Sequence, residues 1–389
     1  MRRRKKLHNG LLVVVTIVVA LVAAIAAVEI VLSASPASHI VQTGERAFGA
    51  ERTLALREYR PSTRLAFAPP PIRSTHDENA LPLYPIVTDR DGFIRSEMWH
   101  EAADATIVFL GGSTTEGMFV APPNRFPAEA AALLSKRTGL KVNTLNGGRS
   151  GNNTMHANLL LTGKVLALRP TAVVLMENVN DMGTLSTYGT YWNASSDYAL
   201  VRTVRRPIET AFRSMRDAVI PHTYRAIRRA LRRQDDRSGA PERAASVVPE
   251  AAIPAEKSAL WEHQYEMAVR QFVGTARAWR VHPVLMTQVW IGSPGERGDP
   301  GLLARDRLEQ RGFNADSFAG VHARFNEIIR RVAQDECAIL IDLARAHPWT
   351  EQETYDGLHF SDAGSRVAAT IISDTLGPWL ALRSANRSP

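Results

Sequence analysis

The 389-residue chain contains one cysteine, Cys337, which rules out a disulfide within it and any cysteine-built metal cluster. Standing just before Ala338-Ile339-Leu340-Ile341, this cysteine reads as a small buried apolar residue. The eleven histidines show no paired ligand spacing of the His-Glu-x-x-His kind, so no metal and no other cofactor is expected. A phosphate-cradling loop is missing too. Gly111-Gly112-Ser113 lacks the lysine that a Walker-type loop sets before its hydroxyl residue, Gly117 is followed by Met118, and the glycines do not fall at dinucleotide-binding spacing.

What is present is enough apolar material, 45% of the residues, for a large core in a chain longer than one compact domain needs. One catalytic domain with appendages is expected. Residues 1–10 form a basic tail with Arg2, Arg3, Arg4, Lys5 and Lys6, and residues 11–32 form an apolar stretch. At a helical rise that stretch is about as long as a bilayer core is thick. The basic flank stays cytoplasmic, which predicts a single-pass signal anchor in the cell membrane and an extracytoplasmic catalytic domain. A cleaved signal peptide ending near Ser33-Ala34-Ser35 is the rival reading, disfavoured by the length of the run and by Pro36 directly after that site. Glu29 falls near the interface, where a carboxylate reaches water.

Residues 33–103 read as a stalk or wrapping segment, because Pro61, Pro69, Pro70, Pro71 and Pro82 exclude long helices. From residue 104 to 385 the pattern is that of one domain. Thr106–Leu110, Val142–Leu145, Ala172–Met176, Pro283–Thr287 and Ala338–Asp342 are short apolar runs of strand type, the first ending in glycines. Helical patterns lie between them over Phe126–Lys136, His156–Leu168, Trp261–Trp279 and Val321–Gln334. Short apolar strands alternating with helices predict an α/β fold with a parallel five-stranded sheet covered on both faces. Ligands of such sheets bind beyond the carboxyl ends of the strands. There stand Ser113 after the first strand, Gly151 after the second, Asn180 after the third, and Asp356 with His359 in a loop after the fifth.

A serine becomes a useful nucleophile when a base takes its proton, and an imidazole held by a carboxylate is the usual base at neutral pH. Each block alone also fits a structural turn, since Asp-Gly is a common turn dipeptide. Jointly, Gly111-Gly112-Ser113-Thr114-Thr115-Glu116-Gly117, Asn146-Gly147-Gly148-Arg149-Ser150-Gly151, Asn178-Val179-Asn180-Asp181 and Asp356-Gly357-Leu358-His359 resemble the four blocks of the SGNH, or GDSL-like, hydrolase family, in family order. The resemblance implies a flavodoxin-like three-layer α/β/α fold and acyl-ester chemistry. It assigns Ser113 as nucleophile, His359 as base and Asp356 as its orienting carboxylate, with an oxyanion hole from the N–H groups of Ser113 and Gly151 and the Asn180 side-chain amide. Gly112 stands where many members carry aspartate, a change expected to leave activity intact. Asn178 stands where glycine is common, and either alters the loop carrying Asn180 or contacts substrate.

Three functions follow as expectations. The first is a serine esterase removing acyl groups, above all acetyl, from a cell-envelope saccharide or lipid. The second is an O-acyltransferase passing the same Ser113 acyl group to an envelope polysaccharide. The third is a non-catalytic envelope protein on this fold. The net charge of +8 is concentrated in the tail and in an insertion at about 188–257, where Arg205, Arg206, Arg213, Arg216, Arg225, Arg228, Arg229, Arg232 and Arg233 surround apolar positions at helical spacing. That insertion reads as a solvated helical hairpin, a helix lying on anionic lipid, or a site for an acidic glycan or lipid. Nucleic acid is not an expected partner.

Overall fold

A computed structural model describes residues 52–54, 56–70, 80–193, 198–203, 255–291 and 315–386, together with Ala20. The predicted anchor over 11–32, apart from Ala20, and the basic helices predicted within 204–254 lie outside these residues. Among the described residues no helix is long and apolar enough to cross a membrane. The chain divides into two units, and of the first (Met1–Thr53 with Arg202–Ile220) only Ala20, Arg52, Thr53, Arg202 and Thr203 are described. The second unit, Leu54–Val201 with Pro221–Pro389, holds the α/β domain.

Five strands make its parallel sheet: β4 (Ala105–Gly111), β5 (Val142–Asn146), β6 (Ala172–Met176), β8 (His282–Met286) and β9 (Ile339–Ile341). Their spatial order is β5-β4-β6-β8-β9. Counted along the chain this is 2-1-3-4-5, the flavodoxin-like order, in which the direction of winding reverses between β4 and β6. All four pairings are parallel, with Ile107 opposite Ala172 and Val284 opposite Ile339. The strand residues alternate between two cores, as period-two geometry requires. Ile107, Phe109, Val174, Met176, Val284 and Met286 face α2 (Phe126–Thr138) and α8 (Asp362–Ala385), which pack on each other. Val108, Leu110, Val173, Leu175 and Leu285 face α3 (Thr154–Gly163), α5 (Ala255–Ala278) and α6 (Ala315–Asp335). The three layers thus follow from strands with apolar residues on both faces, which must be covered on both sides.

Two further sheets are small. β1 (Arg52–Leu54) pairs with β7 (Val201–Thr203). β2 (Arg64–Phe67) pairs antiparallel with β3 (Tyr84–Val87). The chain after β3 then runs along the edge of β5, where the Ile94 N–H donates to Asn146 O at 2.9 Å and the His100 N–H to Asn143 Oδ1 at 2.9 Å. An edge strand that would otherwise expose its polar backbone is covered in this way.

Some sequence expectations need correction. The helix expected over His156–Leu168 is α3 followed by a separate 3₁₀ turn over Val165–Leu168, the break falling at Gly163 and Lys164. Asn180 follows the third sheet strand as expected, and lies in the first turn of α4 (Val179–Tyr188). Cys337 is exposed, because it occupies the left-handed turn (φ 46°) that ends α6 before β9 begins.

Candidate active site

Ser113 directly follows β4, at the winding reversal, as the first residue of the single-turn helix α1 (Ser113–Glu116). Its Oγ lies 2.7 Å from His359 Nε2, although 246 positions separate the two. His359 Nδ1 lies 2.6 Å from Asp356 Oδ2. An ionised carboxylate only accepts, so Nδ1 carries the proton and Nε2 is left to accept from the serine hydroxyl. The same carboxylate takes the N–H groups of Leu358 at 3.1 Å and His359 at 2.8 Å on Oδ1. Burial alone would raise the Asp356 carboxyl, but the His359 charge and the three donors outweigh it and hold the group below the usual carboxylate range. Tyr355 stacks on the imidazole, 5.5 Å between centroids at 11°.

The Gly-rich loop after β5 sits against α1 through close backbone contact. A Cβ on Gly148 would come within 2.3 Å of the Glu116 backbone nitrogen. Gly151 has φ of +79°, a conformation glycine adopts without strain. Glu116 fastens this loop. Fully buried, it accepts from Tyr59 Oη at 2.5 Å, Arg149 Nη1 at 3.1 Å, the Ser150 N–H at 3.2 Å and the Ser150 hydroxyl. The far end of α1 is held by Arg125, which donates to Gly117 O at 3.0 Å and Pro85 O at 2.7 Å. Burial lowers this guanidinium to about 10, against the attraction of Tyr59, Glu116 and Asp362.

Asn180 arrives from α4. A Cβ on Gly112 would lie 2.2 Å from its Nδ2, so the amide occupies the space that a side chain at position 112 would need. Gly112 is therefore part of the site's shape, leaving room for Asn180. Asn178 is buried and donates from Nδ2 to His322 O and Asn326 Oδ1, both at 3.0 Å. It anchors α4 to α6 and touches no open surface. Gln288, just past β8, bridges the two halves: it donates to Thr114 Oγ1 at 3.0 Å and accepts from the Val179 N–H at 3.0 Å.

Two buried carboxyls stand at the start of α4, Glu177 just before it and Asp181 in its first turn. Glu177 is fully buried and faces the side-chain amide of Asn180. Burial and the neighbouring Asp181 push it well above the usual range, against the opposing influence of Asn180 and Arg57, so it holds its proton. Burial raises Asp181 as well, but donors from Tyr191 Oη and the Thr154 N–H make it the readier of the pair to ionise.

The structure thus brings Ser113, His359 and Asp356 into one hydrogen-bonded line. It sets Asn180 beside Gly112 and the loop bearing Gly151 against α1. Among the described residues no three His, Cys, Asp or Glu side chains gather as metal ligands would. Sequence reasoning missed Glu116, Gln288, Arg125, Tyr59 and Arg57. For Gln288 a signal existed, its position at the carboxyl end of the fourth strand. Glu116 lies inside the serine block and could have been singled out as a carboxylate directly after the nucleophile turn.

No curated protein matches the sequence. Among solved structures, the chain is similar to an α/β hydrolase enzyme from the metagenome of Lake Arreo, Spain, at 17% identity and a TM-score of 0.40, covering 71% of this chain and 97% of that one. It is also similar to an acetylxylan esterase from Geobacillus stearothermophilus at 15% identity and a TM-score of 0.39, covering 72% and 95%. The model of the GDSL-like lipase/acylhydrolase family matches residues 109–367, which span every site residue named above from Phe109 onward and most of the sheet. With its serine, glycine, asparagine and histidine blocks inside that match, the chain belongs to the GDSL-like lipase/acylhydrolase family.

Proposed function

We propose that the protein is a serine esterase that cleaves acyl esters, above all acetyl, of a cell-envelope saccharide or lipid. The observation that carries this reading is the line Ser113 Oγ to His359 Nε2 (2.7 Å) and His359 Nδ1 to Asp356 Oδ2 (2.6 Å), placed where β4 ends. In the first half-reaction His359 takes the hydroxyl proton as Ser113 Oγ bonds to the ester carbonyl carbon. The carbonyl oxygen becomes an oxyanion that the N–H groups of Ser113 and Gly151 and the Asn180 amide would hold, and donors that meet charge only as it develops each contribute about 10²–10³ in rate. Collapse breaks the ester C–O bond, and the leaving alcohol takes the proton from His359. Water, deprotonated by the same imidazole, then releases the acid and restores the serine. Asp356 stays ionised throughout, stabilising the imidazolium. The donor-rich setting that keeps its carboxyl low supports that role.

The envelope assignment rests on the basic tail and apolar stretch over 1–32, which would tether the catalytic domain outside the cytoplasm. The test uses the full chain in detergent with p-nitrophenyl acetate, with and without a glycan acceptor. Hydrolysis that is lost in Ser113→Ala is the expected result. Accumulation of acetylated acceptor in place of acetate would establish the transferase instead, and unchanged turnover in both Ser113→Ala and His359→Ala would remove the assignment.

A further inference from the structure

Arg57 precedes the family-matched region by more than fifty residues, yet its side chain ends on the loop that carries Gly151. The guanidinium donates to two successive carbonyls, from Nη1 to Gly151 O at 2.6 Å and from Nη2 to Ser150 O at 3.2 Å. The loop answers, for Asn152 Nδ2 donates to Arg57 O at 3.0 Å. The Tyr198 ring lies across the guanidinium, 4.8 Å from centroid to Cζ, and one edge of it lies 3.1 Å from where a Cβ on Gly151 would be. We propose that Arg57 is a positioning residue for the oxyanion hole, fixing the Ser150–Gly151 peptide so that its N–H faces the oxyanion on Ser113's substrate. The inference rests on the role given to Gly151 above.

The geometry of the peptide unit makes the argument. No peptide bond among the described residues is cis, so the Ser150 carbonyl and the Gly151 N–H point in opposite directions from one rigid plane. Whatever holds the carbonyl on one side sets the N–H on the other. Gly151 needs such a hold more than any other residue would, because at φ +79° without a Cβ its backbone can turn at little cost. The planar fork of arginine spans two carbonyl oxygens at once, and a lysine ammonium cannot reproduce that spacing. A charged donor on the carbonyl also polarises the peptide and strengthens its N–H as a donor. Glu116 holds the preceding N–H, that of Ser150, from the other direction, so the two side chains immobilise consecutive peptide planes.

The test compares Arg57→Met and Arg57→Lys with the unaltered full chain in detergent, with folding followed by circular dichroism. Arg57→Met is expected to lose about 10–100-fold in kcat for p-nitrophenyl acetate, part of what deletion of a whole oxyanion donor removes. KM should change little, since the bond to the ground-state carbonyl is weak. Arg57→Lys should fall between the two. Normal kcat in a folded Arg57→Met, a loss confined to KM, or full kcat in Arg57→Lys each overturns the proposal, and the lysine variant decides alone if the methionine variant does not fold. Ser113→Ala run alongside separates the two claims. Activity persisting there removes the active-site assignment itself, whereas an inert Ser113→Ala beside fully active Arg57 variants removes only the role of Arg57.

Discussion

Asp356 and His359 stand three residues apart and set their geometry inside one short loop, whereas Ser113, Gly151 and Asn180 are held by side chains from distant parts of the chain. The base side is closed by its own backbone: Leu358 and His359 donate to Asp356, Tyr355 donates to His359 O, and Thr354 bridges Phe360. The proposed oxyanion side depends on Glu116 reaching Ser150 across 34 positions, Arg57 reaching Gly151 across 94, and Gln288 reaching Thr114 across 174. A base can be assembled locally because it needs one fixed ring. An oxyanion hole needs donors from three elements to converge, and only long-range ties can make them do so.

The two sides also hold a carboxyl each, Asp356 half-buried and Glu177 fully buried, perturbed in opposite directions. Asp356 is surrounded by donors and lowered, while Glu177 is raised by full burial and by Asp181, which outweigh the Asn180 amide. Unfolding returns both to ordinary carboxylates titrating near pH 4. The Asp356 contribution to stability is therefore complete above that value and is lost as pH falls through the lowered folded value. Glu177 does the reverse: once the unfolded chain ionises, the folded chain must keep its proton, and stability declines as pH rises.

The comparison can be broken first at the base. Asp356→Asn should lower kcat by about 10⁴, because an amide N–H facing Nδ1 selects the tautomer whose Nε2 cannot accept the Ser113 proton. Its deficit in Tm against the unaltered chain should be largest at neutral pH and shrink below pH 4, which a series of thermal melts would follow. On the oxyanion side, Gly112→Asp restores the residue common in the family and displaces the Asn180 amide. A loss of about 10²–10³ in kcat is expected. Melting should change little, since the displaced atom is the end of a flexible side chain. Retained activity would show that Asn180 has room to serve from another rotamer. The smallest effect belongs to Glu177→Gln, which keeps shape and removes the group that must hold a proton. Its Tm should exceed that of the unaltered chain at pH 8 and converge with it near pH 4. A constant gap across that range would mean that Glu177 is not the source of the pH dependence.

The five sheet strands were legible because each is a short run, mostly apolar, bounded by turn residues or by a helical pattern. His359 and Asp356 were legible because their partnership is local, and Ser113 because glycines mark the turn after a strand. Helix α4 was not, since Val-Asn-Asp-Met-Gly-Thr-Leu-Ser-Thr-Tyr is poor in strong helix formers and is held by Gln288 and by Asn178's bonds to α6. Helix α8 carries Pro378 in its interior and is sustained by its packing on α2. Cys337 looked buried by its neighbours, but it occupies the helix end that turns the chain into β9. Arg57 and Tyr59 lie in a proline-rich stretch that reads as a connector, and nothing local announces the loop they brace.

The span of 246 residues between Ser113 and His359 also sets a schedule. At a synthesis rate of about 5–20 residues per second, His359 follows Ser113 by roughly 12–50 s. On the proposed reading the serine is an ordinary alcohol throughout that interval, for among the described residues between them no other base meets its hydroxyl. The loop bearing His359 is then held in place by α8, the last helix described, which begins three residues later. Such a chain would be made unreactive, and the arrival of its histidine would arm it.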